Sequence, residues 1–308
     1  MSEILISVFT PTYNRASFLH VAFESLKKST FLNFEWVIAD DGSADDTAAV
    51  VAQMKKTAPF EIVYLPLPHR GKMRTMNEGV QHCRGRYFFE LDSDDEILPD
   101  ALEKLLAVWQ QLNQPEQYYA VVGRCCLQDG TLLGELFPET VNEMSSKEFG
   151  RYRARHDMGA CMSLARTDVI KQYPFPVPEE LNFVPEATAW RRILLTYKEY
   201  YTNIPVYVYR VCADLNSFTA AKKPDPRPAY FYYTYFFNEI YPYDPSVTFW
   251  EYGVSAASCC HAAIRCRHKL SKLLRDVKPL PARVLCTLGW PLMWCYYQYQ
   301  TKIQKREI

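Results

Sequence analysis

The chain has 308 residues, 23% of them charged and 48% hydrophobic, with 35 Lys plus Arg against 35 Asp plus Glu. That length can bury a substantial core in one large domain or two modest ones, and a formal charge of zero argues against a nucleic-acid binder, which is usually basic. The ten cysteines include two adjacent pairs but no C-x-x-C, so structural zinc is not expected. Met1-Ser2-Glu3 runs straight into Ile4-Leu5-Ile6-Ser7-Val8-Phe9 with no basic segment and no cleavage site, which reads as a strand and not a signal peptide. Reduced thiols, mostly small core residues, are the expectation.

Over the first hundred residues strand and helix patterns alternate. Ile4–Thr10, Phe34–Ala39, Ile62–Leu65 and Tyr87–Leu91 are strand-length apolar runs rich in β-branched or aromatic residues. Leu19, Ala22, Phe23 and Leu26 make one helix face. Val50, Val51 and Met54 repeat the theme behind Asp45 and Asp46, acids suited to a helix N-terminus. After Pro99 the series Ala101, Leu102, Leu105, Leu106, Trp109, Leu112 predicts a further amphipathic helix. The alternation predicts an α/β fold with a mostly parallel central sheet flanked by helices. Asp129-Gly130 between Tyr119–Leu127 and Thr131–Phe137 predicts a hairpin. A strand near Met158–Leu164, a helix opening near Thr167, a helix from Pro185 to Tyr197 and a strand over Tyr201–Val211 follow. Lys222–Pro228 reads as a linker. The division expected is 1–222 for the α/β domain and 223–308 for a helical, aromatic and basic extension.

Ligands of an open parallel sheet sit beyond the carboxyl ends of its strands. Three such ends carry Thr10-Pro11-Thr12-Tyr13-Asn14-Arg15, Asp40-Asp41-Gly42-Ser43 and Leu91-Asp92-Ser93-Asp94-Asp95-Glu96. Two carboxylates at 4 Å repel by roughly 4 kcal/mol at an effective dielectric near 20. Six acids on one edge therefore call for a divalent cation, and carboxylate oxygens suit Mg²⁺ or Mn²⁺. Alone, Asp92-Ser93-Asp94 could equally be acidic turn residues capping a helix. His69-Arg70-Gly71-Lys72 precedes a helical pattern, so Arg70 and Lys72 are either cations at an anion-binding helix start or solvated loop charges. The loop after the first strand has no glycine, against a dinucleotide-binding turn.

By these residues the chain resembles glycosyltransferase family 2, inverting enzymes of the GT-A fold. Ile6–Arg15 looks like that family's first strand and loop. Asp40–Ser43 with Asp45-Asp46-Thr47 is similar to its second signature. Gly71, Asn77 and Gly79 echo the segment before the fourth strand, and Leu91–Asp95 with Leu98-Pro99 matches the metal motif and the helix behind it. The likeness is strong over residues 4–112, moderate to about 219, and absent beyond. It implies nucleoside contacts from Pro11, Thr12, Tyr13 and Arg15 and from Asp40 or Asp41. It places Lys72 near base or phosphate, Asp92 at ribose or metal, and Asp94 on a Mn²⁺ or Mg²⁺ ion; Arg70, from the cationic loop, and Ser93 are expected among the nucleotide-binding residues. Glu186, in Val184-Pro185-Glu186-Ala187, stands where the family carries its general base; many members have Glu-Asp there. Glu179 and Glu180 are alternatives, and a favourable first-turn helix acid is the plain structural reading of Glu186. The absence of a Gln-x-x-Arg-Trp signature implies one sugar per encounter.

The implied activity is transfer from a nucleotide-diphosphate sugar, a UDP-sugar foremost, to a saccharide or lipid-linked saccharide, as in bacterial surface-polysaccharide assembly. The alternative is a non-catalytic nucleotide-binding or scaffold protein. Residues 265–283 carry Arg265, Arg267, Lys269, Lys272, Arg275, Lys278 and Arg283, followed by an uncharged stretch, Val284–Thr301. Pro291, Gln298, Gln300 and the tyrosines make this a poor span. An interfacial element with a basic flank is expected, which would place the protein in the cytoplasm, peripheral on the inner face of the plasma membrane. A helical cap or a homo-oligomer contact is the alternative.

Overall fold

The computed structural model describes residues 4–138, 142–144, 152, 155–210, 225–244 and 247–304. Its contacts divide the chain into two compact units, Met1–Phe175 with Thr196–Ser217, and Pro176–Leu195 with Phe218–Ile308. The segment carrying Glu186 thus groups with the C-terminal helices, although it lies well before the 222/223 division expected from sequence.

The first unit is built on a nine-stranded sheet in the order β3-β2-β1-β4-β8-β6-β9-β5, with β7 paired to β9. In chain order its elements are β1 (Ile6–Thr12), α1 (Leu19–Lys27), β2 (Phe34–Asp40), α2 (Thr47–Thr57), β3 (Glu61–Pro66), α3 (Lys72–Gly79), β4 (Tyr87–Glu90), β5 (Glu96–Ile97), α4 (Ala101–Gln111), β6 (Tyr118–Cys126), β7 (Glu143–Met144), β8 (Cys161–Arg166), α5 (Thr167–Gln172) and β9 (Lys198–Val208). Strands β3, β2, β1 and β4 run parallel, and every residue of β1 and β2 is buried, as strands covered on both faces must be. Beyond β4 the sheet turns mixed: β8 is antiparallel to β4 and β6, whereas β9 returns parallel to β6.

The apolar faces predicted for α1 and α4 are the buried ones, with Leu19, Ala22, Phe23 and Leu26 on α1 and Leu102, Leu105, Leu106 and Trp109 on α4. Two polar threads cross this core. Trp36 Nε1 donates to Thr10 Oγ1 at 2.9 Å, and Thr10 Oγ1 donates to the Leu91 carbonyl at 2.7 Å, tying β2, β1 and the end of β4 together. Glu35, fully buried, accepts from Ser7 Oγ at 2.6 Å and from the Arg84 backbone and guanidinium at 2.6 and 2.8 Å.

Three expectations need correction. The Asp129-Gly130 turn forms, with Leu127 N donating to Thr131 O and Leu133 N to Cys125 O, but 131–137 never becomes a strand. The places beside β6 are taken by β8, antiparallel, and β9, parallel. The helix expected over 185–197 is shorter, α6 (Ala187–Ile193), and the strand after it starts three residues earlier than expected, at Lys198. Lys222–Pro224 lies outside the described residues, and Asp225 and Pro226 are irregular as expected, but Arg227 and Pro228 already belong to a helix. Asp225 accepts from the Arg227 N–H at 2.9 Å, and α7 (Arg227–Tyr235) begins at Arg227, with proline tolerated in its first turn.

The second unit holds α6, α7 with a π-helical turn at Phe236–Ile240, α8 (Phe249–Arg265), α9 (Leu270–Asp276) and α10 (Leu280–Gln304). Thr248 and Glu251 form a reciprocal capping box that starts α8. The aromatic excess of the C-terminal region goes partly into this core, where Phe237, Tyr241 and Tyr252 pack with ring centroids 5.2 to 5.6 Å apart. Arg191 on α6 reaches buried Asp244 at 3.1 Å. The described cysteines are all free thiols, and Cys259, Cys260 and Cys286 pack together in this core.

Candidate active site

The register of the parallel strands gathers the predicted residues at one edge. Thr12, the last residue of β1, pairs with Asp40, the last of β2, and Asp41 N donates to Thr12 O at 2.9 Å. Asn14 takes a left-handed backbone, φ 51°, as a short polar side chain can. Its N–H donates to Ser43 Oγ and its Oδ1 accepts from Ala44 N, both at 2.8 Å, while Asp45 accepts from Ala16 N at 3.0 Å. The loops after β1 and β2 are thereby laced together. Burial opposes ionisation of Asp45, but its hydrogen bonds from Thr47 and Ala16 prevail and hold its carboxyl below the usual range.

Asp40 and Asp41 are almost fully buried. Asp40 accepts from Ser43 N and Oγ, and from the Tyr64 hydroxyl. Asp41 accepts from Arg70 N at 2.7 Å, Gly71 N at 3.0 Å and Thr75 Oγ1 at 2.8 Å. It fixes the loop that opens α3, whose Gly71 sits at φ 93°, a conformation costly for any side chain. On the outer side of that loop His69 stacks on Tyr13 with ring centroids 4.3 Å apart and planes 22° off parallel. This exposed aromatic pair is the feature that sequence reasoning missed. Tyr13 was expected at the site, but nothing in the spacing joined it to His69. Pro11 and Thr12, expected in the loop, close strand β1 and are buried; Thr12 Oγ1 is a buried hydroxyl with no hydrogen-bond partner among the described residues.

At the end of β4, Lys72 Nζ lies 3.2 Å from Glu90 and 3.3 Å from Asp92, and Arg15 lies 3.7 Å from Asp94. Ser93 is buried. Asp95 turns inward, accepting from Tyr207 Oη at 2.9 Å and Arg210 N at 2.8 Å, while the same tyrosine oxygen accepts from Asp92 N at 3.1 Å. Burial, reinforced by the Asp92 and Asp94 charges, pushes the Asp95 carboxyl up to about 6 despite these hydrogen bonds. Glu96 pairs with Arg210 at 2.8 Å. The six acids are therefore not left bare to await a cation, as the sequence led us to expect, although Asp92 and Asp94 still act on Asp95. Each has protein partners, and Tyr207 and Arg210, brought in by β9 from more than a hundred positions away, are among them. Arg70 gives its backbone N–H to Asp41 and leaves its side chain exposed.

The donor set nonetheless suits a hard divalent cation. Asp92 and Asp94 keep 42% and 24% of their side-chain surface open, and both offer carboxylate oxygen. Among the described residues no three His, Cys, Asp or Glu side chains form a ready-made cage. A cation there would complete its shell with water or ligand oxygens, the habit of Mg²⁺ beside phosphates.

Glu186 belongs to the second unit. It is half-buried at the start of α6, and its carbonyl accepts from Ala189 N at 3.0 Å and Trp190 N at 3.2 Å. Glu179 and Glu180 lie exposed on the preceding turn.

Residues 7–173 match the family described as Glycosyl transferase family 2. The chain is 29% identical over 211 residues to the GalNAc(5)-diNAcBac-PP-undecaprenol beta-1,3-glucosyltransferase of Campylobacter jejuni, an alignment covering 67% of this chain and 64% of that protein, so the chain spans less than two thirds of that relative's length. Its fold is similar to that of TarS from S. aureus in complex with UDP-GlcNAc, with a TM-score of 0.56 at 17% identity, covering 96% of this chain and 92% of that one. It is likewise similar to the mannosyltransferase PcManGT of Pyrobaculum calidifontis in complex with GDP-Man and Mn²⁺, with a TM-score of 0.55 at 18% identity over 96% and 83% of the two chains. The expected GT-A fold is the one observed.

Proposed function

The chain belongs to glycosyltransferase family 2, and from that premise we propose that it transfers a sugar from a UDP-sugar to an acceptor hydroxyl with inversion. The observation that carries this reading is the single edge on which β1, β2 and β4 end, where Tyr13 and His69 offer a stacking face and Lys72 and Arg15 stand among Asp92 and Asp94. In this reading the aromatic pair receives the base, and Asp41 positions the loop that presents it. Asp40 and the Thr12 hydroxyl border the nucleoside, with Ser93 and Asp92 beside the ribose. Lys72, Arg15 and Arg70 take the diphosphate. Asp94, with Asp92, holds a divalent cation, Mn²⁺ or Mg²⁺, which when bound supplies Lewis-acid stabilisation of the departing diphosphate. Glu186 removes the proton of the acceptor hydroxyl.

A lipid-linked saccharide is the acceptor class we favour. The Campylobacter relative, whose name carries PP-undecaprenol, supports it. With such an acceptor, the proposed location is peripheral, on the inner face of the plasma membrane.

Calorimetric titration with UDP tests the site. Binding is expected in Mn²⁺ or Mg²⁺ and is expected to weaken at least tenfold in chelator. Undiminished binding in chelator removes the cation from the reading, and no binding of any nucleoside diphosphate removes the reading itself.

A further inference from the structure

The outer face of α10 has no use in the sugar-transfer site. The helix runs Leu280–Gln304, about 37 Å at 1.5 Å per residue. Ala282 and Cys286 are buried in the core of the second unit, and Leu285, Trp290 and Met293 pack against that core. The opposite side carries Leu280, Val284, Leu288 and Leu292 at a spacing of four, joined by Trp294 and Tyr299, and every one of these is exposed. Leu288 and Leu292 each remain 68% open. A contiguous apolar stripe of this length on a protein surface marks a contact with something apolar. From Val284 to Thr301 it contains no charged residue.

Beside the start of the stripe lies a set of cations. Arg267, Lys269, Arg275 and Arg283 are all exposed, and none has a carboxylate partner among the described residues. Between Cys266 and Gln304 the sequence holds one acid, Asp276, which pairs with Lys272 at 2.7 Å. Among the described residues no helix is long and apolar enough to cross a membrane.

We propose that this face of α10, with the Arg267–Arg283 cations, docks the protein on an anionic phospholipid surface, the helix lying in the plane of the interface. Apolar side chains then enter the acyl boundary while Trp294 and Tyr299 occupy the headgroup level that suits amphipathic rings. Charge complementarity selects this occupant over a second copy of the chain. A second copy would match the leucines, but from this region it brings the same cations and only the one, already paired, acid. An anionic leaflet supplies what those cations lack. The inference deepens the peripheral location proposed above and needs neither donor nor acceptor.

Flotation of the purified full chain with vesicles tests it. The protein should float with phosphatidylcholine–phosphatidylglycerol vesicles and much less with phosphatidylcholine alone. Leu288→Asp with Leu292→Asp should abolish flotation without changing the far-ultraviolet circular dichroism, since both side chains are exposed. Neutralising the cations (Arg267→Gln, Lys269→Gln, Arg275→Gln, Arg283→Gln) should weaken binding to anionic vesicles by about fivefold or more for each charge removed. Flotation that survives the Leu288/Leu292 pair overturns the proposal. So does a wild-type protein that ignores vesicles but forms a dimer which the same pair dissociates. Because no sugar donor is present, failure here leaves UDP binding as a separate result.

Discussion

Asp41 accepts hydrogen bonds from two successive backbone N–H groups and from Thr75, and His69 Nδ1 lies 3.0 Å from its Oδ2. A carboxylate so engaged shapes the loop that presents His69 against Tyr13. Nothing of this was legible in Asp40-Asp41-Gly42-Ser43 as a string, which signalled acidity at a strand end and no more. Asp95 teaches the same lesson. In sequence it is one more member of an acidic run, yet it turns into the protein because Tyr207 and Arg210 N are there to meet it. Glu186 is the residue whose proposed role is easiest to isolate. Gln keeps its shape but cannot accept the acceptor's proton, so Glu186→Gln should retain UDP affinity within about twofold and lower turnover by roughly 10²–10⁴. Single-turnover assay beside calorimetry measures both, and turnover within a few-fold of wild type would move the base elsewhere.

Elements that read clearly were those whose burial is complete. β1, β2 and β4 read as strands because their mainly apolar runs, broken by Ser7, Thr10 and Glu35, are buried almost throughout, and α1 and α4 announce their inner faces by spacing. What the sequence concealed was pairing. A turn signal at Asp129-Gly130 forecasts two adjacent strands, but competition for the flank of β6 was decided by β8 and β9, distant in sequence. The two-residue strands β5 and β7 are too short for any periodicity to show. Close backbone approach was equally invisible. A Cβ on Gly85 would lie 2.4 Å from the Ser7 backbone nitrogen, and Gly85 N also donates to Ser7 Oγ at 2.8 Å. Strand backbone cannot yield as a flexible side chain would. Gly85→Ala should therefore cost about 1–3 kcal/mol, seen as a lower urea midpoint with an unchanged slope; an unshifted midpoint would mean that β1 and the start of β4 can part at little cost.

At the scale of the molecule, the chain leaves the first unit at Pro176, contributes α6 to the second, and returns at Thr196 to lay β9 into the sheet. Composition forecast a distinct C-terminal region, but an excursion of twenty residues has no compositional signature. Nucleotide that binds the first unit alone should stabilise that unit alone. At a hundred times its dissociation constant UDP with Mn²⁺ adds about 2.7 kcal/mol, or roughly 5–10 °C for a unit of this size. Differential scanning calorimetry should show one transition rising and a second unmoved; a single transition rising as a whole would show that the units unfold together.

The ion pairs at the end of β4 have a thermodynamic corollary. Lys72 rests on Glu90 and Asp92, and Arg15 on Asp94; Asp92 and Asp94 are the carboxylates that would hold a metal, while Lys72 and Arg15 are themselves the cations suited to a diphosphate. In the proposed reading, a diphosphate that draws those cations away releases oxygens to the metal, and a metal that takes the oxygens releases cations to the diphosphate. Each ligand thus clears the other's place, and the factor by which metal tightens nucleotide is of necessity the factor by which nucleotide tightens metal.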